Sequence, residues 1–328
     1  MKKKVLAGVA LLGALTFAAA GCSSSTGDDG ASGDGGSGDV ITVGFAQTGS
    51  ESGWRSANTE SMKEAFSADN GFDLKFNAAD NKQEAQIAAV RSFINQGVDA
   101  IVIAPITVDG WDDVLKEAQD AGIPVVLEDR TVSASEDLYA SWVGLDFEQE
   151  GKTAGEWVKE NFDGKGANLV ILEGTTGSSA ALDRATGFAE ATEGTDINVL
   201  DSQTGDFTRD GGKKVMEGYL QKYGDDIDVL FAHNDDMGLG ALDAIEAAGL
   251  TPGKDIQIVT IDAVHDGMQA LADGKFNFIV ECNPLLGEKA ADLVKAVLAG
   301  ETVEKKTIVP DQSFTQEQAI EALPTRPY

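Results

Sequence analysis

Positive charge is scarce in this 328-residue chain: 25 Lys and Arg stand against 55 Asp and Glu, a formal charge of -30. That balance excludes nucleic acid as a partner, because phosphates need a surplus of cations, and it excludes adhesion to anionic lipid through a basic patch. Histidine is nearly missing, with only His233 and His265, so a His-rich metal site is excluded. Cysteine is limited to Cys22 and Cys282, too few for a disulfide framework. No G-x-S-x-G, P-loop or H-E-x-x-H signature occurs, which removes the motif-based routes to hydrolase, nucleotidase or metalloprotease chemistry. The apolar run from Val5 to Ala20 is short for a membrane span.

That run has a different reading. Lys2, Lys3 and Lys4 precede it, and small residues ending in Ala19-Ala20-Gly21-Cys22 follow. This is the order of a signal segment. Ala-Ala-Gly-Cys resembles a bacterial lipobox, which implies a lipoprotein signal peptide over 1–21, cleavage before Cys22 and acylation of its thiol. An ordinary secretory signal with an incidental cysteine is the alternative. After acylation only Cys282 is left, so neither an intramolecular disulfide nor a Cys-based metal site is expected. Residues 22–39 are almost wholly Ser, Gly and Asp, a composition that cannot bury a core and reads as a flexible tether. Gly33 to Gly38 matches G-x-G-x-x-G, but it has no strand before it and no helix after it, so it is not a dinucleotide fingerprint.

From Ile41 the pattern alternates strand and helix. Ile41 to Gln47 and Asp73 to Asn77 read as strands, and Gln83 to Gln96 carries apolar residues at helical spacing. Ala100 to Pro105 is a continuous apolar strand of the kind covered on both faces. A helix is expected from Trp111 to Asp120 and a strand from Pro124 to Asp129. Beyond Tyr139 to Asp146 a second series begins, with strands at 167–173, 197–202, 229–233 and 257–262. Two sets of βα units exceed what one sheet of ordinary size needs, so two α/β lobes are the economical reading. A strand at 276–282, a helix at 285–299 and an extended stretch at 307–314 could complete either lobe.

The residues with chemistry to offer fall just after these strands, where open α/β sheets place their ligands. Gly49-Ser-Glu-Ser-Gly-Trp-Arg55 follows the first strand. Asp129-Arg130 closes the fourth, and Arg184 lies beyond the Gly/Ser loop Glu173 to Ala180. Phe207, Asn234, Asp262 and Glu281 end later strands. Carboxylates, an amide and guanidinium forks beside the flat faces of Trp54 and Phe207 suit a polyhydroxylated ligand: each hydroxyl donates and accepts, and the C–H face of a sugar needs aromatic surface. Taken singly, each has a structural reading as helix cap, core ring or local ion pair. Their joint placement favours a site.

Several stretches carry a family resemblance: Val43-Gly-Phe-Ala-Gln47, Gly49 to Arg55, Gln86-Ile-Ala-Ala-Val-Arg-Ser-Phe93, Gln96-Gly-Val-Asp-Ala100, Ile103-Ala-Pro105, Asp129-Arg130, Gly205-Asp-Phe-Thr-Arg209, Ala232-His-Asn-Asp-Asp-Met237 and Pro252-Gly-Lys-Asp255. From about Ile41 to Tyr328 the chain resembles the ribose-type (type I) periplasmic binding proteins of bacterial sugar ABC importers, and within them the galactofuranose binders. The resemblance implies an α/β fold of two Rossmann-like lobes joined by a three-segment hinge, with crossings near Asp146, near Cys282 and from Val309 to Phe314. The first lobe would comprise 40–146 and 283–309, the second 147–282 and 310–328. Carried over by position, Ser52, Trp54, Arg55, Asp129 and Arg130 would contact a monosaccharide from the first lobe. Arg184, Phe207, Asn234, Asp262 and Glu281 would do so from the second lobe and hinge. Glu281 stands where ribose binders carry glutamine, which puts ribose in doubt. An insertion around Thr107 to Trp111 leaves Trp111 between ligand contact and helix packing, and packing is preferred.

The resemblance implies no enzyme, cofactor or metal. It implies a monomer, anchored through lipid on Cys22 at the outer face of the cell membrane, that delivers sugar to an ABC permease and its ATPase. A co-receptor for a signalling kinase is the alternative within the binding class. A sugar-modifying enzyme would have to use a pair such as Asp235 and Asp236, although neighbours in one loop seldom face one substrate. A cytoplasmic repressor would need a helix-turn-helix ahead of Ile41, where the signal and tether stand instead.

Overall fold

The computed structural model describes residues 40–328; the signal segment, the tether and Cys22 lie outside them. In chain order the first half runs β1 (Ile41–Gln47), α1 (Gly53–Ala65), β2 (Phe72–Ala78), α2 (Gln83–Gln96), β3 (Ala100–Ile103), α3 (Asp112–Asp120), β4 (Val125–Asp129) and β5 (Ser141–Gly144). The second series is α4 (Phe147–Phe162), β6 (Ala167–Glu173), α5 (Ser179–Thr192), β7 (Ile197–Thr204), α6 (Arg209–Tyr223), β8 (Val229–Ala232), α7 (Asp235–Ala247), β9 (Gln257–Asp262), α8 (His265–Ala272) and β10 (Phe278–Glu281). The chain closes with α9 (Gly287–Leu298), β11 (Lys306–Ile308), β12 (Ser313–Phe314) and α10 (Gln316–Ala322).

The strands form two sheets of six, ordered β2-β1-β3-β4-β5-β11 and β7-β6-β8-β9-β10-β12. Apart from the last member of each, the two orders are the same. Every pairing is parallel except that of β12 with β10. Central strands β3, β4 and β8 are buried at every position, which explains their unbroken apolar runs: helices cover both faces of a parallel sheet and no side of the strand meets water. Edge strands β2 and β7 keep exposed polar residues. This is the two-lobed α/β fold expected from the sequence.

The stretch expected to be one extended segment at 307–314 is two strands. β11 pairs with β5 in the first sheet, and β12 with β10 in the second. The chain therefore passes between the sheets three times: after β5, after β10 and between β11 and β12. Two of these crossings are tied together where the Asn283 N–H donates to Asp311 Oδ1 at 3.0 Å. The order β2-β1-β3 reverses the direction of strand addition at β1, as β7-β6-β8 does at β6. The crevice at such a switch point lies beyond the carboxyl ends of the strands, and the loops after β1, β4, β6, β8 and β9 meet there.

Candidate functional site

Strand-end backbone aims the side chains. Asp129, Phe207 and Asp262 have φ of 59°, 61° and 129°, a region that non-glycine residues seldom occupy and that concentrates at functional sites. At these points the chain leaves the sheet, and all three residues line the space between the sheets. Ser52 is the N-cap of α1 and accepts from the Arg55 N–H at 3.1 Å, which sets Trp54 and Arg55 on the helix's first turn. Gly174 leaves room for Phe207, since a Cβ there would sit 1.9 Å from the ring.

Between the sheets these residues line a narrow cleft with about 20 Å³ of free space: Ser52, Trp54, Arg55, Asp129 and Arg130 from one side, Arg184, Phe207, Asn234 and Asp262 from the other. Nine of the ten positions singled out from the sequence thus converge. The tenth does not. Glu281 is absent from the lining; its Oε1 accepts from Arg326 at 2.7 Å and from the Tyr328 hydroxyl at 2.7 Å. Both contacts fall on Oε1 and clasp β10 to Arg326 and Tyr328. Trp111 is fully buried under α3, its indole N–H donating to the Thr107 carbonyl at 2.8 Å, and it packs in the core of the first sheet. Glu51, Ala180 and Cys282 also line the cleft and were not singled out. Glu51 belongs to the stretch already noted, and its position four residues before Arg55 was the available signal.

Three buried guanidinium groups define the electrostatics. Arg55 donates to Glu51 at 3.1 Å and Asp129 at 2.6 Å. Arg130 lies 3.7 Å from both of those carboxylates and over the Phe207 ring, 5.1 Å from its centroid. Arg184 donates to Glu150 at 2.7 Å and to the His233 carbonyl at 2.6 Å, and its remaining arm is 3.9 Å from Asp262. Burial works against the Glu51 carboxylate, but Arg55 and Arg130 outweigh it and hold its pKa below the ordinary value. Burial pushes Asp262 well above its ordinary range against the pull of Arg184. Burial, with Arg184 alongside, pushes His233 down to about 3, so the ring is neutral.

The site has unused capacity. Arg130 Nε and Asp262 Oδ2 are buried atoms with no hydrogen-bond partner, and buried polar groups are nearly always satisfied. A donor and an acceptor left over on opposite sides of one cleft is the pattern a hydroxyl satisfies from both ends. Other groups are partly spent. Asn234 caps α7 by accepting from Met237 N–H at 3.0 Å and donates to the Phe207 carbonyl at 3.1 Å. Trp54 Nε1 donates to the Cys282 carbonyl at 2.6 Å, and Arg55 lies over its ring at 4.6 Å. Asp235 and Asp236 do not act as a pair. Asp235 accepts from Thr260 and Val264 inside its lobe, while Asp236 accepts from Gly53 N–H. Among the described residues no group of three or more His, Cys, Asp or Glu could hold a metal ion, and no helix is long and apolar enough to cross a membrane.

Residues 43–302 match the periplasmic binding protein domain. The chain belongs to that family. The galactofuranose-binding protein YtfQ of Escherichia coli (strain K12) is 46% identical over 288 residues, 86% of this chain and 90% of that protein. The fructose import binding protein FruE of Bifidobacterium longum (strain NCC 2705) is 41% identical over 327 residues, 98% of this chain and 97% of that protein. A crystal structure from Mycobacterium smegmatis in complex with β-D-fucofuranose superposes with a TM-score of 0.84 at 56% identity, covering 87% of this chain and 94% of that one. These relatives are binding proteins rather than enzymes. Membership accounts for a cleft between two sheets that is lined by buried polar and aromatic side chains.

Proposed function

We propose that this chain is the substrate-binding protein of an ABC sugar importer and that it holds a monosaccharide in its furanose form between the lobes. The observation that carries the reading is the pair of unsatisfied groups, Arg130 Nε on one side of the cleft and Asp262 Oδ2 on the other, framed by Arg55, Arg184, Trp54 and Phe207. A galactofuranose-like aldose fits best, in keeping with the galactofuranose binder and the fucofuranose complex among its relatives. Ser52, Asp129 and Asn234 complete the contacts. The two lobes are taken as 40–146 with 283–309, and 147–282 with 310–328. Contacts made from both exist only in the closed form, and they supply the differential affinity that shifts the open and closed populations. The permease then reads the closed form. Acylation of Cys22 would hold the monomer at the outer face of the cell membrane, on the tether 22–39.

Calorimetric titration with galactose, fucose, arabinose, ribose and fructose, with the bound ring form assigned by NMR, tests the ligand. A furanose bound at micromolar concentration or tighter is expected. Binding weaker than millimolar for every sugar, or turnover of any of them, sinks the reading. Replacing Cys22 by Ser should move the protein from the membrane to the soluble fraction; unchanged membrane association would remove the lipid anchor.

A further inference from the structure

Helix α1 is short of one thing at its N-terminus. Its first turn carries no acidic residue, although the exposed N–H groups there favour negative charge. The Gly53 N–H reaches across the cleft instead and donates to Asp236 Oδ2 at 2.7 Å. Asp236 belongs to the first turn of α7, in the other sheet's lobe, and its side chain is 9% exposed. Its second oxygen is held within its own lobe: Arg209 Nε donates to Oδ1 at 3.2 Å, and Arg209 is steadied in turn by Asp266 at 3.1 Å. The carboxylate is therefore aimed before the lobes meet. On another part of the interface the Val108 N–H donates to the Gly177 carbonyl at 2.8 Å, and the Thr131 N–H to Ser179 Oγ at 3.0 Å. Gly53, Asp236, Gly177 and Ser179 do not line the sugar cleft.

We propose that Asp236 determines closure: it is the acidic partner helix α1 lacks, supplied from the opposite lobe, and it stabilises the closed clamp through a bond the open form cannot make. Ser179 does the same, more weakly, through a neutral bond. Both act on sugar affinity without touching sugar, so the proposal rests on the binding reading only for its second readout. A charge-assisted bond to a helix N-terminus outweighs a neutral hydroxyl contact, and losing it should lower the closed-to-open ratio about tenfold.

The test uses the full chain with Asp236→Ala, Asp236→Asn, Ser179→Ala and, as control, Arg209→Ala. Small-angle scattering without sugar reads the lobe separation, and stopped-flow tryptophan fluorescence reads sugar release. Asp236→Ala should raise the release rate about tenfold with little change in association, and Asp236→Asn and Ser179→Ala should each raise it less. Arg209→Ala keeps the acceptor for the Gly53 N–H but loosens its aim, so it should raise the release rate less than Asp236→Ala does. A purely structural role for Asp236 would lower the unfolding midpoint equally in Asp236→Ala and Arg209→Ala without separating their release rates, and that result overturns the proposal. If the wild type binds no tested sugar the functional reading fails, and scattering then decides alone. The wild type must show a closed fraction that folded Asp236→Ala loses, and identical curves overturn the proposal.

Discussion

Trp54 has two jobs that substitution can separate. Its ring lines the cleft, and its indole N–H ties α1 to the crossing at Cys282. Trp54→Ala should cost at least ~1 kcal/mol of sugar affinity by calorimetry, with Trp54→Phe losing less because a flat ring stays in place. Unchanged affinity in a folded Trp54→Ala would move the side chain to the core. Glu128, behind Arg55, accepts from Asn58 Nδ2 at 3.3 Å. Burial first, and the adjacent Asp129 next, push its carboxyl up from 4.5 to about 8 against the pull of Arg55. Between those values the folded chain binds more protons at Glu128 than the unfolded chain does, so its contribution to stability is present at low pH and is lost as pH rises through about 8. Glu128→Gln keeps the shape of the neutral acid and removes that titration. In urea unfolding the variant should gain on the wild type from pH 5 to pH 8, and parallel profiles would show that Glu128 is ionised in the fold.

At the scale of elements, α4 and α5 approach until backbone meets backbone. A Cβ at Gly187 would sit 1.9 Å from the Glu148 carbonyl oxygen, and one at Gly151 would sit 2.1 Å from that of Arg184. The second contact places the helix turn that carries Arg184, so this packing serves the cleft as well as the core. Gly187→Ala should destabilise by ~1–3 kcal/mol through overpacking. Gly218, in the middle of α6 with nothing near its missing Cβ, should tolerate alanine or gain up to about 1 kcal/mol, as a helix interior does. Urea midpoints for the two variants check both signs, and equal effects would mean the helices can separate at no cost.

For the molecule as a whole, three crossings join two lobes of matching strand order, so closure is the motion the topology permits most readily. A ligand that binds only the folded clamp stabilises it by mass action, about 2.7 kcal/mol at a hundred times its Kd. The unfolding midpoint should therefore climb with sugar concentration, and no other class of small molecule should move it as far. A midpoint indifferent to every sugar in the panel would remove the clamp as the functional unit. At the crossings, burial pushes Asp311 up to about 9, with Glu150 adding to the rise.

The amino-acid sequence by itself determined the alternation of buried strand and amphipathic helix, the division into two α/β series and the strand ends that meet at the cleft. It could do so because parallel strands need long apolar runs, and because such sheets present the loop after each strand at one edge. Arg55, Asp129, Asn234 and Asp262 were legible for that reason, each standing at a strand end or in the first turn after it, whereas Ser52 came only from the resemblance. Only the tertiary structure decided what Glu281 does, because its partners Arg326 and Tyr328 are 45 and 47 residues away and no local spacing joins them. It alone also set Asp236 against Gly53, 183 residues apart; the division of residues 307–314 between two sheets was implied by the resemblance and left open by the pattern. Periodicity reports which face of an element is buried; which distant charge meets that face depends on how the lobes are packed.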